Sequence, residues 1–283
     1  MLVSSKELYK VARKNKFAIP AANFVDQNSI KAYIEVAENL NLPIILAFAE
    51  AHKDLLSFDE ALLLGKYYGE KAKVPVVLHL DHGTTKELIF RAIDEGFKSV
   101  MIDASMDSFE DNVRKTREIV DYAHLRGVVV EAEIGHVGNG EGYKSNDDSD
   151  SIYTTVEEAK KFVELTNIDS LAISIGTAHG AYKGKPVIEF DRLKEIRNAI
   201  ATPLVLHGGS STGDINLGRC ATEGISKINI YTDLVTAAFN KLQSTVCNDY
   251  YELRNAQTEG MKECLKHYYG VFQTKGFNNE VIK

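Results

Sequence analysis

Eight short apolar runs, each followed by sequence of helical periodicity, constrain this chain more than any other feature. The runs are FAIPAAN (17–23), PIILAFA (43–49), VPVVLHL (74–80), SVMID (99–103), VVVEAEIG (128–135), SLAISIG (170–176), PLVLH (203–207) and SKINIY (226–231). Most are continuously apolar rather than alternating, as in parallel strands covered on both faces. The intervening patterns include DQNSIKAYIEVAENL, TTKELIFRAIDEG, FEDNVRKTREIVDYAHLRG and TVEEAKKFVELTN. Thr154 or Thr155 with Glu157 or Glu158 forms a capping box, and Gly96 and Gly127 stand where a helix-ending glycine belongs. An all-parallel series of eight βα units predicts a (β/α)8 TIM barrel in a single domain over residues 1–283. A doubly wound open sheet is the runner-up, weakened because no G-x-G-x-x-G follows the first run. Further helical sequence after the eighth unit, DYYELRNAQTEGMKECLKHYYGVF, predicts a C-terminal helical appendage at about 247–283.

A chain of 283 residues, 44% hydrophobic and 26% charged, can bury a large core without disulfides. Its three cysteines, Cys220, Cys247 and Cys264, form no CxxC pair and read as free thiols in a reducing compartment. The opening MLVSSKELYKVARKNKF mixes charge with apolar residues, so no signal peptide is expected, and no run reaches the roughly 18 apolar residues of a membrane span. A formal charge of −7 argues against nucleic acid as a partner. The expectation is a cytoplasmic protein that binds any anion through a local site.

In a barrel of this kind the chemistry is assembled at the C-terminal ends of the strands. His79 and His82 end the third run, His179 follows the sixth, His207 ends the seventh, and His136 lies just beyond the fifth. His124 and His267 fall in helical sequence, and His52 follows the second run. Histidines from three separate strand ends can converge on one ion with a position left open, which suits zinc and also cobalt, manganese or iron. Asp81, one residue before His82, is placed to move a proton beside that ion. Asp103 and Glu133 offer a second metal position or orient the histidines. Residues 135–153 form a long polar, glycine-rich connection, and Glu141 within it could be carried over a substrate as a base.

The loops after the last three strands read as an anion site. Gly208, Gly209 and Ser210 offer backbone N–H groups and a hydroxyl, Asn229 and Thr232 add donors, and Gly180 and Lys183 follow the sixth run. A cation beside a phosphate pocket suits chemistry on a sugar phosphate in which the ion polarises a carbonyl and stabilises an enediolate, the requirement for aldol cleavage or condensation and equally for some isomerisations.

Taken together, VVLHLDHG, EAEIGHVGNGEG, ISIGTAHGAYKGKP, LVLHGGSS and KINIYTD resemble the class II, metal-dependent fructose/tagatose-bisphosphate aldolase family from about residue 5 to about residue 255. The resemblance implies one catalytic Zn²⁺ on His82, His179 and His207, with Asp103 and Glu133 at an alternative metal position. It implies Asp81 as the acid at the C4 oxygen and Glu141 as the base that exchanges a proton with the dihydroxyacetone phosphate enediolate. It places the ketose C1-phosphate around Gly180, Lys183, Gly208, Ser210, Asn229 and Thr232, with Na⁺ or K⁺ beside it. It further implies a lyase of carbohydrate metabolism such as glycolysis, a homodimer or homotetramer, and Arg254 reaching a neighbouring subunit's distal phosphate.

The chain departs from the family pattern at Ala49, which stands where a hydroxyl residue is common, at Tyr231, at Ser211 and in its C-terminal tail. These departures fall on the half that reads the aldehyde. They leave open an aldolase for another phosphorylated ketose or keto acid, such as a deoxy-ketogluconate phosphate. A non-catalytic sugar-phosphate-binding subunit is the reading from a different class.

Overall fold

The computed structural model describes residues 1–135, 137, 153–180 and 186–277. Helix α1 (Ser5–Asn15) precedes the first strand. The βα units follow as β1 (Ile19–Asn23) and α2 (Gln27–Leu40), β2 (Ile44–Ala49) and α3 (Phe58–Lys71), β3 (Val76–Gly83) and α4 (Lys86–Glu95), then β4 (Ser99–Ile102) and α5 (Phe109–His124). The second half comprises β5 (Val129–Ile134) and α6 (Val156–Thr166), β6 (Ser170–Ile173) and α7 (Phe190–Ala199), β7 (Leu204–Leu206) and α8 (Asp214–Glu223), then β8 (Ile225–Ile230) and α9 (Thr232–Ser244). All eight strands pair in parallel, and β8 returns to β1, so the sheet closes into the (β/α)8 barrel expected of the eight apolar runs.

Every strand residue is buried except His82, because one face packs on helices and the other fills the barrel interior. The capping box of α6 is formed by Thr155 and Glu158, whereas Thr154 is buried and donates to Ile134 O at 2.6 Å. Gly96 and Gly127 end their helices at φ 112° and 67°, in the left-handed region where a side chain is costly.

Inward-facing side chains stack in layers. At the base, Ala21, Ile45 and Val77 form one cluster with Leu8, Tyr9 and Ala12 of α1 and with Phe17, so α1 plugs the end where the strands begin. Two residues along, β1 and β3 place the polar Asn23 and His79 beside Ala47 of β2, and the site lies toward the opposite mouth. Sequence after the eighth unit forms α10 (Tyr250–Val271), which packs along the barrel rather than away from it. Its Met261, Leu265, Tyr268 and Tyr269 are buried in the main core, and Tyr269 donates to Pro43 O at 2.9 Å.

Candidate active site

The mouth at the C-terminal strand ends holds a cavity of about 430 Å³. Strict alternation along β3 turns His79 and Asp81 inward and would turn His82 away. His82 instead adopts a left-handed backbone, φ 46°, and the register against β4 shifts between Leu80 and Gly83. A left-handed non-glycine residue costs about 1–2 kcal/mol, and its effect is to bring two consecutive side chains into one site. Gly83 permits the shift, since a Cβ there would lie 2.6 Å from Met101 O.

His82, His179 and His207, from the ends of β3, β6 and β7, come together, with a nitrogen of each within 4.8 Å of the others. His82 Nε2 faces His207 Nδ1 at 2.6 Å. The remaining nitrogen of each ring meets a carboxylate: His82 Nδ1 lies 2.7 Å from Asp103 Oδ2, and His207 Nε2 lies 3.0 Å from Glu131 Oε1. Nε2 of His179 is buried without a hydrogen-bond partner among the described residues. Converging imidazole nitrogens, outer carboxylates and an orphaned ring nitrogen are what a divalent cation requires, and these residues fit one. Glu133 is also at hand, with Oε2 buried and without a hydrogen-bond partner among the described residues and His207 Nδ1 3.8 Å away.

Electrostatics agree with the geometry. Burial, and then the charge of Asp103, pushes the Glu133 carboxyl up to about 8. Burial would lower the His82 imidazole, but Asp81, Asp103 and Glu133 prevail and raise it to about 9. Burial together with the neighbouring His82 and His207 lowers His179 to about 3.

Asp81 is held from two sides. Asn23 of β1 donates to Oδ2 and Asn229 of β8 donates to Oδ1, each at 2.8 Å. Burial disfavours its charge, but His82 and Lys227 outweigh that effect and keep the carboxyl well below the usual aspartate range. It is thus an ionised carboxylate fixed by two amides next to the histidine cluster, the arrangement a general acid/base group needs.

One layer deeper lies a group that sequence reasoning missed. The Lys227 ammonium donates to Glu131 Oε1 and Oε2 at 2.8 and 2.9 Å and lies 3.0 Å from His79 Nε2. All three side chains are fully buried. Burial opposes the Glu131 charge, but Lys227 and His207 hold it ionised, while burial and Lys227 push His79 down to about 3, leaving it neutral. Lone charges inside the apolar runs VVVEAEIG and SKINIY were the available signal, as was the amide that closes FAIPAAN for Asn23.

Beside the histidines, the turn Gly208–Ser210 packs tightly against its neighbours. A Cβ on Gly208 would lie 2.4 Å from Ala178 O, and one on Gly209 would lie 2.5 Å from Asn229 O. Ser210 Oγ accepts from the backbone N–H of Tyr231 and Asp233 at 3.2 Å, so this hydroxyl caps the start of α9. Gly180, Gly208, Ser210, Asn229 and Thr232 all line the cavity, although the Asn229 amide is committed to Asp81. Arg254 does not reach it. That residue lies on α10, bonded to Asn28, in a separate groove of about 290 Å³ with Lys31 and Lys262. Glu141 and Lys183 lie outside the described residues, as does His136.

A closed parallel barrel with histidines, carboxylates and a glycine turn gathered at one mouth is an enzyme scaffold of the metal-dependent type. Residues 3–277 match the family model described as fructose-bisphosphate aldolase class-II, and the chain belongs to that family of lyases, whose members are typically metal-dependent. The crystal structure of the YdjI aldolase from Escherichia coli K12 is similar at 33% identity and a TM-score of 0.88, over 98% of this chain and 99% of that one. A fructose-bisphosphate aldolase from Campylobacter jejuni shares the fold at 23% identity and a TM-score of 0.83, covering 98% of this chain and 97% of that one. Among the described residues no helix is long and apolar enough to cross a membrane.

Proposed function

We propose that this class II aldolase is zinc-dependent and cleaves a ketose 1-phosphate of the ketose-bisphosphate type, reversibly, to dihydroxyacetone phosphate and an aldehyde. The observation that carries the reading is Asp81, clamped by Asn23 and Asn229 beside a histidine triad whose His179 Nε2 has no hydrogen-bond partner among the described residues. A bound divalent ion supplies Lewis acidity at the ketose carbonyl, where negative charge develops.

The chain's own groups do the rest. In the cleavage direction Asp81 accepts the C4 hydroxyl proton as the C3–C4 bond breaks, and the bonding pair moves toward the C2 carbonyl oxygen. Glu141 then returns a proton to C3. The Gly208–Ser210 turn, with Gly180 and Thr232, would hold the C1-phosphate, and its tight backbone packing supports that role. Lys183 would add a charge and Na⁺ or K⁺ would sit beside the phosphate. Arg254 would serve only across a subunit boundary, in a homodimer or homotetramer, since within its own chain it faces another groove. A cytoplasmic setting completes the proposal.

Stripping metal with a chelator is expected to abolish cleavage of fructose and tagatose bisphosphates, and added zinc to restore it. Activity that survives stripping, or a lysine adduct trapped by borohydride, overturns the reading.

A further inference from the structure

The turn assigned to the phosphate runs into a left-handed residue that is not a glycine. Gly208 stands at φ 66°, a conformation glycine takes readily, but Ser211 stands at φ 62°. A side chain in that region is costly, so the turn keeps its shape only where its surroundings fix it. Asp233, in the first turn of α9, does the fixing. Its Oδ2 accepts from the Ser211 N–H at 2.8 Å and its Oδ1 from the Ser211 hydroxyl at 3.1 Å. Ser210 Oγ in return accepts from the Asp233 N–H at 3.2 Å, so the turn and the start of α9 clasp each other in both directions.

The clasp is fastened in turn from the C-terminal helix. Tyr268 of α10, buried in the main core, donates its hydroxyl to Asp233 Oδ2. Burial, and then Asp233, hold this phenol well above its ordinary value, so it stays a donor. Its ring lies 5.3 Å from that of the buried Phe272, which fixes where the hydroxyl points. One residue earlier, His267 Nε2 lies 3.0 Å from Asp214 Oδ1 at the start of α8. Helix α10 thus reaches the first turns of the two helices that follow β7 and β8. Gly208, Gly209 and Ser210 line the cavity, whereas Ser211, Asp233 and Tyr268 do not. Whatever these three do for a ligand is therefore done through the backbone of the turn.

We infer that Asp233 and Tyr268 are positioning residues for the substrate phosphate: they hold Ser211 left-handed, and with it the Gly208–Ser210 turn in the shape that receives the anion. The inference rests on the phosphate reading of that turn given above. A turn that visits its binding shape only part of the time binds in proportion to that fraction. Loosening the clasp therefore weakens binding and leaves the chemistry of the bound complex alone. The C-terminal helix, which contributes no side chain to the cavity, becomes part of what makes the cavity bind.

The test uses the metal-loaded full chain and two readouts with dihydroxyacetone phosphate: calorimetric binding, and exchange of its C3 hydrogen with solvent, which needs no aldehyde. Asp233→Ala removes both hydrogen bonds to the Ser211 N–H and hydroxyl. It should weaken binding about 5–30-fold, the factor that matches the cost of a left-handed non-glycine residue. KM for exchange should rise alongside, with kcat within about threefold of the parent. Adding Ser211→Gly to Asp233→Ala should recover about fivefold or more of the lost affinity, since glycine takes the left-handed shape unaided. Tyr268→Phe removes one hydroxyl and should weaken binding about two- to tenfold; paired with Ser211→Gly in the same way, it decides the matter should Asp233→Ala be insoluble. Unchanged binding in the single variants, a loss confined to kcat, or no recovery on adding Ser211→Gly overturns the inference, as does a parent protein that binds no dihydroxyacetone phosphate. Binding without exchange in the parent removes the aldolase reading instead, and the binding series still decides the clasp.

Discussion

Three groups of metal-ligand type occupy two layers of this barrel, His82 being shared between His179 with His207 and Asp103 with Glu133, and the layers differ in how the chain compensates their charge. His79, Asp81 and Glu131 bring a ligand atom each within 4.8 Å of one another, as do His82, His179 and His207 above them. The lower set already contains its cation, for the Lys227 ammonium bonds Glu131 through both oxygens and lies against His79. The upper set has no lysine or arginine among the described residues against it, and Nε2 of His179 has no hydrogen-bond partner among those residues. Residue type alone therefore does not define a metal site. What separates the two layers is whether the chain supplies a buried ammonium, since buried carboxylates and imidazoles must be compensated one way or the other.

The contrast is broken most severely from above. His179→Ala is expected to leave the purified protein without stoichiometric metal and to reduce turnover on the order of 10³-fold, because Lewis-acid stabilisation supplies several kcal/mol. Metal analysis and steady-state kinetics check both, and a fully metallated variant would place the ion elsewhere. Asp81→Ala should keep metal while losing about 10²–10⁴-fold in turnover, the range of a general acid/base group. Near-normal turnover with metal retained removes Asp81 from that role.

Disturbing the lower layer should read out mainly as stability. Lys227→Met strands Glu131 in an apolar interior at a cost of about 3–5 kcal/mol, whereas Glu131→Gln with Lys227→Met together should recover much of it. Chemical denaturation measures the difference. The double variant still loses the carboxylate behind His207, so its metal affinity should fall about 10–100-fold in a chelator competition. Native affinity in the double variant would make the lower layer a structural filler only.

The smallest effect concerns the rim. Hydrogen bonds from Thr84 and Thr85 outweigh burial and hold Glu50 below the ordinary glutamate value of 4.5. A depressed carboxyl contributes stability above its unfolded value and loses it as pH falls through the folded one. Glu50→Gln should therefore cost about 1 kcal/mol at neutral pH, and the gap should close as thermal melts are taken down through the acid side of pH 4.5. A gap independent of pH would assign the loss to packing.

The fold was legible to a useful depth because apolar runs and helical periodicity are local properties. Strand ends were less so. The run at 170–176 shortens to Ser170–Ile173, while the third run extends past residue 80 to Gly83, because pairing with the neighbouring strand sets the ends. At the site, the strand-end histidines and Asp81 were conspicuous as polar residues closing apolar runs. Lys227 and Glu131, inside their strands, and Asn23, at the end of the first, said less, since a polar residue carries no local sign of what it meets across a barrel. The groove around Arg254 was likewise invisible, as it depends on how α10 lies against α2.

By itself, then, the sequence determined the eight-fold parallel architecture, the mouth at which chemistry would gather and the residue types available there. Only the tertiary structure decided which residues share a layer and which carboxylate stands behind which histidine. It decided, too, that His82 turns inward beside Asp81 through a left-handed backbone, against the alternation of its strand. The physical reason is range: periodicity and capping act over one helical turn or one strand, whereas charge compensation inside a closed barrel couples residues as far apart in sequence as His79 and Lys227, 148 positions.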